Sequence, residues 1–284
     1  MKITSHIVLN GKLIRADKAA VNPFNRGMMY GDGCFETLKS YPGGFLKWDQ
    51  HFQRLQEGLD YLDINRPFDS KALKDQVLEL LNLHDLKNKE AMVRIQCWRD
   101  GGRGYAPTTR NAGWMMQASE IVSDATPQKL TVANTRCIPE ASLSRRFKLS
   151  NGLNYIKAAQ EAKSKNADDA IMLTLGGNVS ETTISNIFWV KDWSIFTPSV
   201  ECDLLRGVTR SIVLDICKRI GVSVVEGAFT LDKLHDAEAV FTTNSISEIR
   251  ETQSIDDTGF HIGHKLVDQL KEEFDKYKKE NLKP

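Results

Sequence analysis

The stretch SRRFKLSNGLNYIKAAQEAK, Ser144 to Lys163, contains three lysines, Lys148, Lys157 and Lys163. Whether one of them is a chemically active amine decides how the chain is read. Leu153 to Asn166 reads as an alanine-rich helix whose buried stripe is Leu153, Ile156 and Ala159. Lys157 and Lys163 fall at or beyond the edge of that stripe, where lysine is ordinarily solvated. Lys148 stands before the helix, after a strand and a short basic loop, between Phe147 and Leu149. A lysine at a strand-to-helix junction can point into a cleft. Desolvation there lowers its pKa and makes it a nucleophile toward a carbonyl. On these residues alone, the ordinary surface lysine remains the commoner reading.

The flanking sequence is mixed. Ile7 to Ile14, IVLNGKLI, is a hairpin signal around Asn10-Gly11. CFETLKSYPGGFLKW has strand-like segments around a Pro42-Gly43-Gly44 turn. A helix follows Asp49, with Phe52, Leu55, Leu59 and Leu62 at helical spacing. A second covers Ser70 to Leu83, with Ser70 as its cap. MVRIQCW alternates as a strand and GWMMQAS is its return. The polar run from Ile121 to Lys129 marks a boundary. The expected domains are 1–120 and 129–284, with a linker at 121–128. Beyond it, AIMLTLGGNVSE and NIFWVKDWSIFTP read as hairpins, Val208 to Ile220 as a helix closed by Gly221, and Ile262 to Tyr277 as an amphipathic helix. Strands and helices interspersed in both halves argue for two α/β or α+β domains.

A net charge of +1 supplies no field for nucleic acid or a membrane surface. The five cysteines are scattered, which fits reduced thiols in a cytoplasm better than a disulfide framework. The start lacks a signal peptide's long apolar run, and no stretch approaches membrane-spanning length. The six histidines offer no metal-binding spacing. HIGH, His261 to His264, spells an adenylate-binding signature of class I aminoacyl-tRNA synthetases. It precedes the last helix rather than opening a nucleotide fold, and is set aside as coincidence.

Aligned on Lys148, KLSNGLNYIKAAQEA resembles the Schiff-base lysine segment of class IV pyridoxal-phosphate enzymes, with Asn151 and Gln160-Glu161-Ala162 in the family's positions. Branched-chain and D-amino-acid aminotransferases and 4-amino-4-deoxychorismate lyase belong to that family. Further matches follow in family order. RGMMYGDGCFET (Arg26 to Thr37) looks like its N-domain motif, with Tyr30 at the substrate side. HFQRL resembles the helix whose arginine, here Arg54, grips the cofactor phosphate. GGNVSETTISNIFWV is similar to the segment bearing the glutamate of the pyridine nitrogen, here Glu181. LLRGVTR resembles the phosphate-binding helix start, with Val208 and Thr209 supplying amides and Leu205 packing on the ring. FTTNSISEI matches the last phosphate turn, with Asn244 and Ser245 at the contact positions.

The resemblance implies a two-domain fold-type IV enzyme of the α/β (α+β) class. It has a smaller N-terminal domain and a larger C-terminal domain with a mixed sheet or barrel. It also implies pyridoxal 5'-phosphate bound to Lys148, and a homodimer with shared active sites. A small-molecule substrate is expected, and no nucleic acid or membrane partner. Two features point toward the lyase. GGRGY (Gly101 to Tyr105) resembles a lyase loop in which Arg103 would pair with a substrate carboxylate and Tyr105 line the ring pocket. Thr37 stands where the lyases carry a threonine implicated in the elimination; assisted by Lys148, it would help deliver a proton to the leaving group. The alternatives are an aminotransferase for branched-chain or D-amino acids with 2-oxoglutarate, and a non-catalytic protein that kept the fold.

Overall fold

The computed structural model describes residues 5–121 and 126–283. Contacts divide the chain into two compact units: Met1–Val122, Phe147–Asn151 and Asn281–Pro284 form one, Ser123–Arg146 and Gly152–Glu280 the other. The expected linker lies partly outside the described residues, and Gln128 already opens a strand. The Lys148 segment groups with the first unit rather than with the chain on either side of it.

The first unit is an antiparallel sheet with its two longer helices packed on one face. Its strands are β1 (His6–Leu9), β2 (Lys12–Arg15), β3 (Gly33–Tyr41), β4 (Gly44–Phe45), β5 (Ala91–Arg99) and β6 (Ala112–Glu120), in the order β2-β1-β6-β5-β3-β4. The first hairpin turns through Asn10 and Gly11, both at positive φ (50° and 78°), as a tight turn between twisted strands requires. A short helix α1 (Arg26–Tyr30) precedes β3, and α2 (Trp48–Tyr61) and α3 (Ser70–Leu83) follow β4. Alternation along β3, β5 and β6 sends Leu38, Val93, Ile95, Trp114, Met116 and Ala118 to a buried face. There α2 packs on β3, and α3 on β6 and β1. The cap of α3 is Asp69, whose carboxylate accepts from Ala72 N at 2.8 Å, and not Ser70. Ser70 is instead the first helical residue and holds the Trp48 indole N–H at 2.9 Å.

The second unit is a mixed sheet closed on itself. Its elements are β7 (Gln128–Val132), α4 (Leu153–Ser164), β8 (Asp169–Leu173), β9 (Val179–Thr182), β10 (Asn186–Lys191), β11 (Ser194–Pro198), α5 (Val208–Arg219), β12 (Val224–Gly227), α6 (Leu231–His235), β13 (Ala239–Asn244), β14 (Glu248–Ile255), β15 (Thr258–Gly259) and α7 (Lys265–Asn281). The strand path β10-β13-β14-β7-β8-β9 returns to β10 through the pairing of Asn186 with Glu181, which makes a six-strand barrel. One set of alternating residues on the barrel strands gathers into a cluster that includes Leu130, Ile171, Val179, Ile187, Trp189 and Val240. The other face of β8, Ala170 and Met172, lies against α4.

That packing corrects the expected stripe of α4. Ala158 and Ala162 are its buried residues, while Leu153 and Ile156 are exposed. Alanines let the helix approach the strand closely, a fit that the larger residues would prevent. Lys157 and Lys163 are exposed, as expected of surface lysines. The last helix starts at Lys265, three residues later than the periodicity suggested.

Candidate active site

Residues 148–150 pair with β3 as a short antiparallel addition at its edge. Phe35 N donates to Lys148 O at 2.8 Å and Ser150 N to Gly33 O at 2.9 Å, with Cys34 opposite Leu149. The alternation then fixes the side chains. Leu149 turns with Cys34 to the buried face, and Lys148 turns with Phe35 to the other. The Lys148 Nζ lies 5.0 Å from the centroid of the Phe35 ring.

Two residues along the same face is Thr37, and opposite Thr37 on β5 is Arg94. The Arg94 guanidinium sits 4.0 Å from the Phe35 centroid, and its Nη1 donates to the Thr37 hydroxyl at 3.4 Å. Burial pushes Arg94 below the usual guanidinium range, against the pull of the Glu36 carboxylate. The amine of Lys148 and the guanidinium of Arg94 therefore share one aromatic ring, and the guanidinium reaches the Thr37 hydroxyl. Arg94 was not singled out from the sequence. The signal was nevertheless there: in MVRIQCW the alternation puts Met92, Arg94 and Gln96 on the face opposite Val93, Ile95 and Cys97.

Glu36, between Phe35 and Thr37, points the other way and is 1% exposed. Arg54 of α2 grips it at two points, Nε to Oε2 at 2.9 Å and Nη2 to Oε1 at 2.7 Å. The Thr37 N–H donates to Oε1 at 2.9 Å. Burial by itself would raise the Glu36 pKa, but the Arg54 charge and the hydrogen bonds around it hold the carboxyl well below the usual range. His51 Nδ1 stands 3.3 Å from Oε1 without hydrogen-bond geometry. Burial lowers the His51 pKa despite that neighbour. Arg54 is thus held in a set orientation rather than solvated on the polar side of its helix.

In the second unit, Glu181 on β9 is 5% exposed, which rules out an exposed strand residue. Its Oε1 accepts from Tyr155 Oη at 2.8 Å, and its Oε2 accepts from Leu205 N at 3.0 Å and Asn186 Nδ2 at 3.4 Å. Asn186 Nδ2 also donates to Leu205 O at 2.9 Å, fixing the loop before α5. Gly207 caps α5 without a side-chain bond. The first amides, on Val208 and Thr209, therefore lie at a helix start suited to an anion. A Cβ on Gly207 would stand 2.1 Å from Asn186 Oδ1, so this approach requires glycine.

Asn244, expected at a phosphate contact, has its side chain engaged in the β13–β14 turn. Its Oδ1 accepts from Ile246 N at 2.8 Å and Ser247 N at 2.7 Å, and its Nδ2 donates to Ser185 Oγ at 2.8 Å. Asn244 shapes the turn, and half-buried Ser245 is what the turn presents.

The 101–105 loop is anchored to α1. Arg26, paired with Asp32 at 2.6 Å, donates from Nη1 to Gly104 O at 2.5 Å. Gly104 N donates to Tyr30 Oη at 3.0 Å, and the Tyr30 and Tyr105 ring centroids are 5.7 Å apart. Tyr105 is 91% exposed and Arg103 is exposed. Among the described residues, no hydrogen bond or ring contact joins either to Lys148 or Thr37 within the chain.

Among the described residues no group of histidine, cysteine and carboxylate side chains could hold a metal, and no helix is long and apolar enough to cross a membrane. His261 and His264 sit before α7, with His264 at 3.4 Å from Glu238 and accepting from Leu266 N.

The chain is similar to known proteins along most of its length. It is 30% identical over 262 residues to the aminodeoxychorismate lyase of Bacillus subtilis, covering 89% of this chain and 88% of that one. It is 33% identical over 279 residues to a protein of Methanocaldococcus jannaschii provisionally named a branched-chain-amino-acid aminotransferase, covering 94% of each. Its fold matches the crystal structure of the Escherichia coli branched-chain amino acid aminotransferase with a TM-score of 0.90 at 21% identity, over 97% of this chain and 94% of that one. The family model for amino-transferase class IV matches residues 33–255, from the start of β3 to the end of β14, and the chain belongs to that family.

Proposed function

We propose that the protein is an aminodeoxychorismate lyase, releasing 4-aminobenzoate and pyruvate from 4-amino-4-deoxychorismate. The observation that carries this reading is the Thr37 hydroxyl, on the same sheet face as Lys148 and within 3.4 Å of Arg94 Nη1. An elimination needs a base at one carbon and a proton donor for the group leaving the next. An amine and a cation-backed hydroxyl on one face suit that pair of tasks.

The class IV family uses pyridoxal 5'-phosphate. The residues present fit it: a buried guanidinium, helix amides without a side-chain cap, and a buried carboxylate. The family resemblance gives Lys148 the covalent link, and gives Arg54, the amides of Val208 and Thr209 and the Ser245 turn the phosphate. Leu205 would pack on the ring and Glu181 pair with its nitrogen. When bound, the cofactor supplies an electron sink for the carbon that loses its proton.

The chain's residues then divide the work. The Lys148 amine takes the proton from the carbon bearing the substrate's amino group. Thr37, polarised by Arg94, delivers a proton to the departing enolpyruvyl oxygen. Arg94 also offers a positive charge to a substrate carboxylate. Arg103 and Tyr105, exposed within their own chain, would serve only by reaching a neighbouring subunit's site. That role belongs with the homodimer the family resemblance implies.

The aminotransferase reading keeps support from the Methanocaldococcus relative, whose identity exceeds that of the Bacillus lyase. A product assay separates the two. Protein loaded with pyridoxal phosphate is given enzymatically generated aminodeoxychorismate, and separately L-leucine or D-alanine with 2-oxoglutarate. Rapid 4-aminobenzoate with little glutamate is expected. Glutamate without 4-aminobenzoate would overturn the lyase reading.

A further inference from the structure

The grip on the Glu181 carboxylate from α4 has a second layer. Tyr155 donates its hydroxyl to Glu181 Oε1 at 2.8 Å. The Arg145 guanidinium lies 4.8 Å from the centroid of the same Tyr155 ring. Arg145 is 4% exposed, and its Nε has no hydrogen-bond partner in the described structure. Leaving a guanidinium N–H unpaired and buried is costly, so the charge needs compensation nearby. The tyrosine face provides it as a cation–π contact. A cation on the ring draws electron density from the phenol and strengthens its O–H as a donor. A carboxylate that receives a stronger hydrogen bond is more firmly ionised and less basic.

We infer that Tyr155, backed by Arg145, is a positioning residue that keeps Glu181 ionised, so that the proton between Glu181 and the cofactor's ring nitrogen stays on the nitrogen. This rests on the reading of Glu181 as the partner of that nitrogen. The other charged or titratable groups near this network include Cys137 and Asp203, and Glu140, whose carboxylate accepts from Arg145 N at 2.6 Å and pairs with Arg146 at 3.3 Å. Burial pushes the Cys137 thiol up to about 12, so it is a neutral neighbour across the working range. Leu205 N and Asn186 Nδ2, which also donate to the carboxylate, do not titrate.

The test uses the holoenzyme and follows its visible absorption band against pH, with cofactor affinity measured in parallel by equilibrium dialysis. Four variants are compared with the parent: Tyr155→Phe, Arg145→Met, Arg145→Lys and Glu181→Gln. Tyr155→Phe should retain cofactor and move the band's midpoint upward by roughly half a pH unit or more. The cause is that a ring carrying less positive charge releases the proton on the Lys148 nitrogen at higher pH. Arg145→Met should move it the same way by less, and Arg145→Lys should restore the parent midpoint. A merely structural tyrosine would change affinity or melting temperature and leave the midpoint in place.

An unchanged midpoint in Tyr155→Phe, with a clear shift in Glu181→Gln, would overturn the inference and leave the site reading standing. No shift in Glu181→Gln would remove both. If Tyr155→Phe fails to fold, Arg145→Met decides alone, because it keeps the hydroxyl in place and removes only the charge.

Discussion

Glu36 and Arg54 meet in a two-point ion pair, at 2.9 and 2.7 Å, on the face of β3 opposite the one that carries Phe35 and Thr37, toward which Lys148 turns from the paired edge segment. One strand therefore orients two sets of groups by alternation alone. The arginine expected to meet phosphate and the lysine expected to do chemistry are both tied to it.

Glu36→Gln leaves the Arg54 charge buried beside a neutral amide. Removing one partner of a buried pair costs about 3–5 kcal/mol, so a clear drop in denaturation midpoint is expected. The pH dependence has a definite sign. The folded Glu36 pKa lies below its ordinary value of 4.5, so its stabilisation is present above that value and lost as pH falls through it. His51 adds to this direction, because burial lowers its pKa and protonation below its ordinary value of 6.5 favours unfolding. Urea melts from pH 7 down to pH 3 should show the parent losing its advantage over Glu36→Gln as acid is added. An advantage that grows in acid would contradict the ion pair.

Lys148→Ala should fold, because the residue's contribution to the edge of β3 is its carbonyl, which alanine retains. Borohydride reduction followed by mass spectrometry should find the pyridoxal adduct on Lys148 in the parent and none in the variant. Turnover should fall by roughly 100-fold or more, the usual scale for loss of a positioned base. An adduct on Lys157 or Lys163 would refute the assignment.

Thr37→Val and Arg94→Gln separate the donor from its support. Thr37→Val should lower kcat by roughly tenfold or more with KM little changed, the pattern of an interaction made only in the transition state. Arg94→Gln should raise KM as well, because it also removes a charge available to a substrate carboxylate. Steady-state kinetics on each variant checks this; an unchanged kcat in Thr37→Val would remove the hydroxyl from the chemistry.

Gly207→Ala tests close packing at the start of α5. Glycine's φ there is −66°, which alanine adopts readily, so the obstacle is space alone. The added methyl would have to displace Asn186, which holds Leu205 O and Glu181. Overpacking of this kind costs about 1–3 kcal/mol. Weaker cofactor binding by dialysis should accompany the loss; unchanged affinity would mean Asn186 can yield without disturbing Glu181.

The sequence by itself determined the features that depend on neighbours along the chain. The Asn10-Gly11 hairpin and the span of α3 were legible because turn chemistry and helical spacing act over a few residues. Ordered matches to a known family also made the cofactor readable and singled out Lys148 as the candidate to hold it. Tertiary structure decided what depends on register between distant strands or on which face a packed helix buries. Leu153 and Ile156 had helical spacing, yet α4 turns its alanines inward because β8 leaves room only for small side chains. Asn244 lay in a recognisable motif, but hydrogen bonds from its own turn engage its side chain. Arg94, Glu36 and Tyr155 gained their partners through strand pairing, burial and a contact across 26 residues, none of which local pattern can encode.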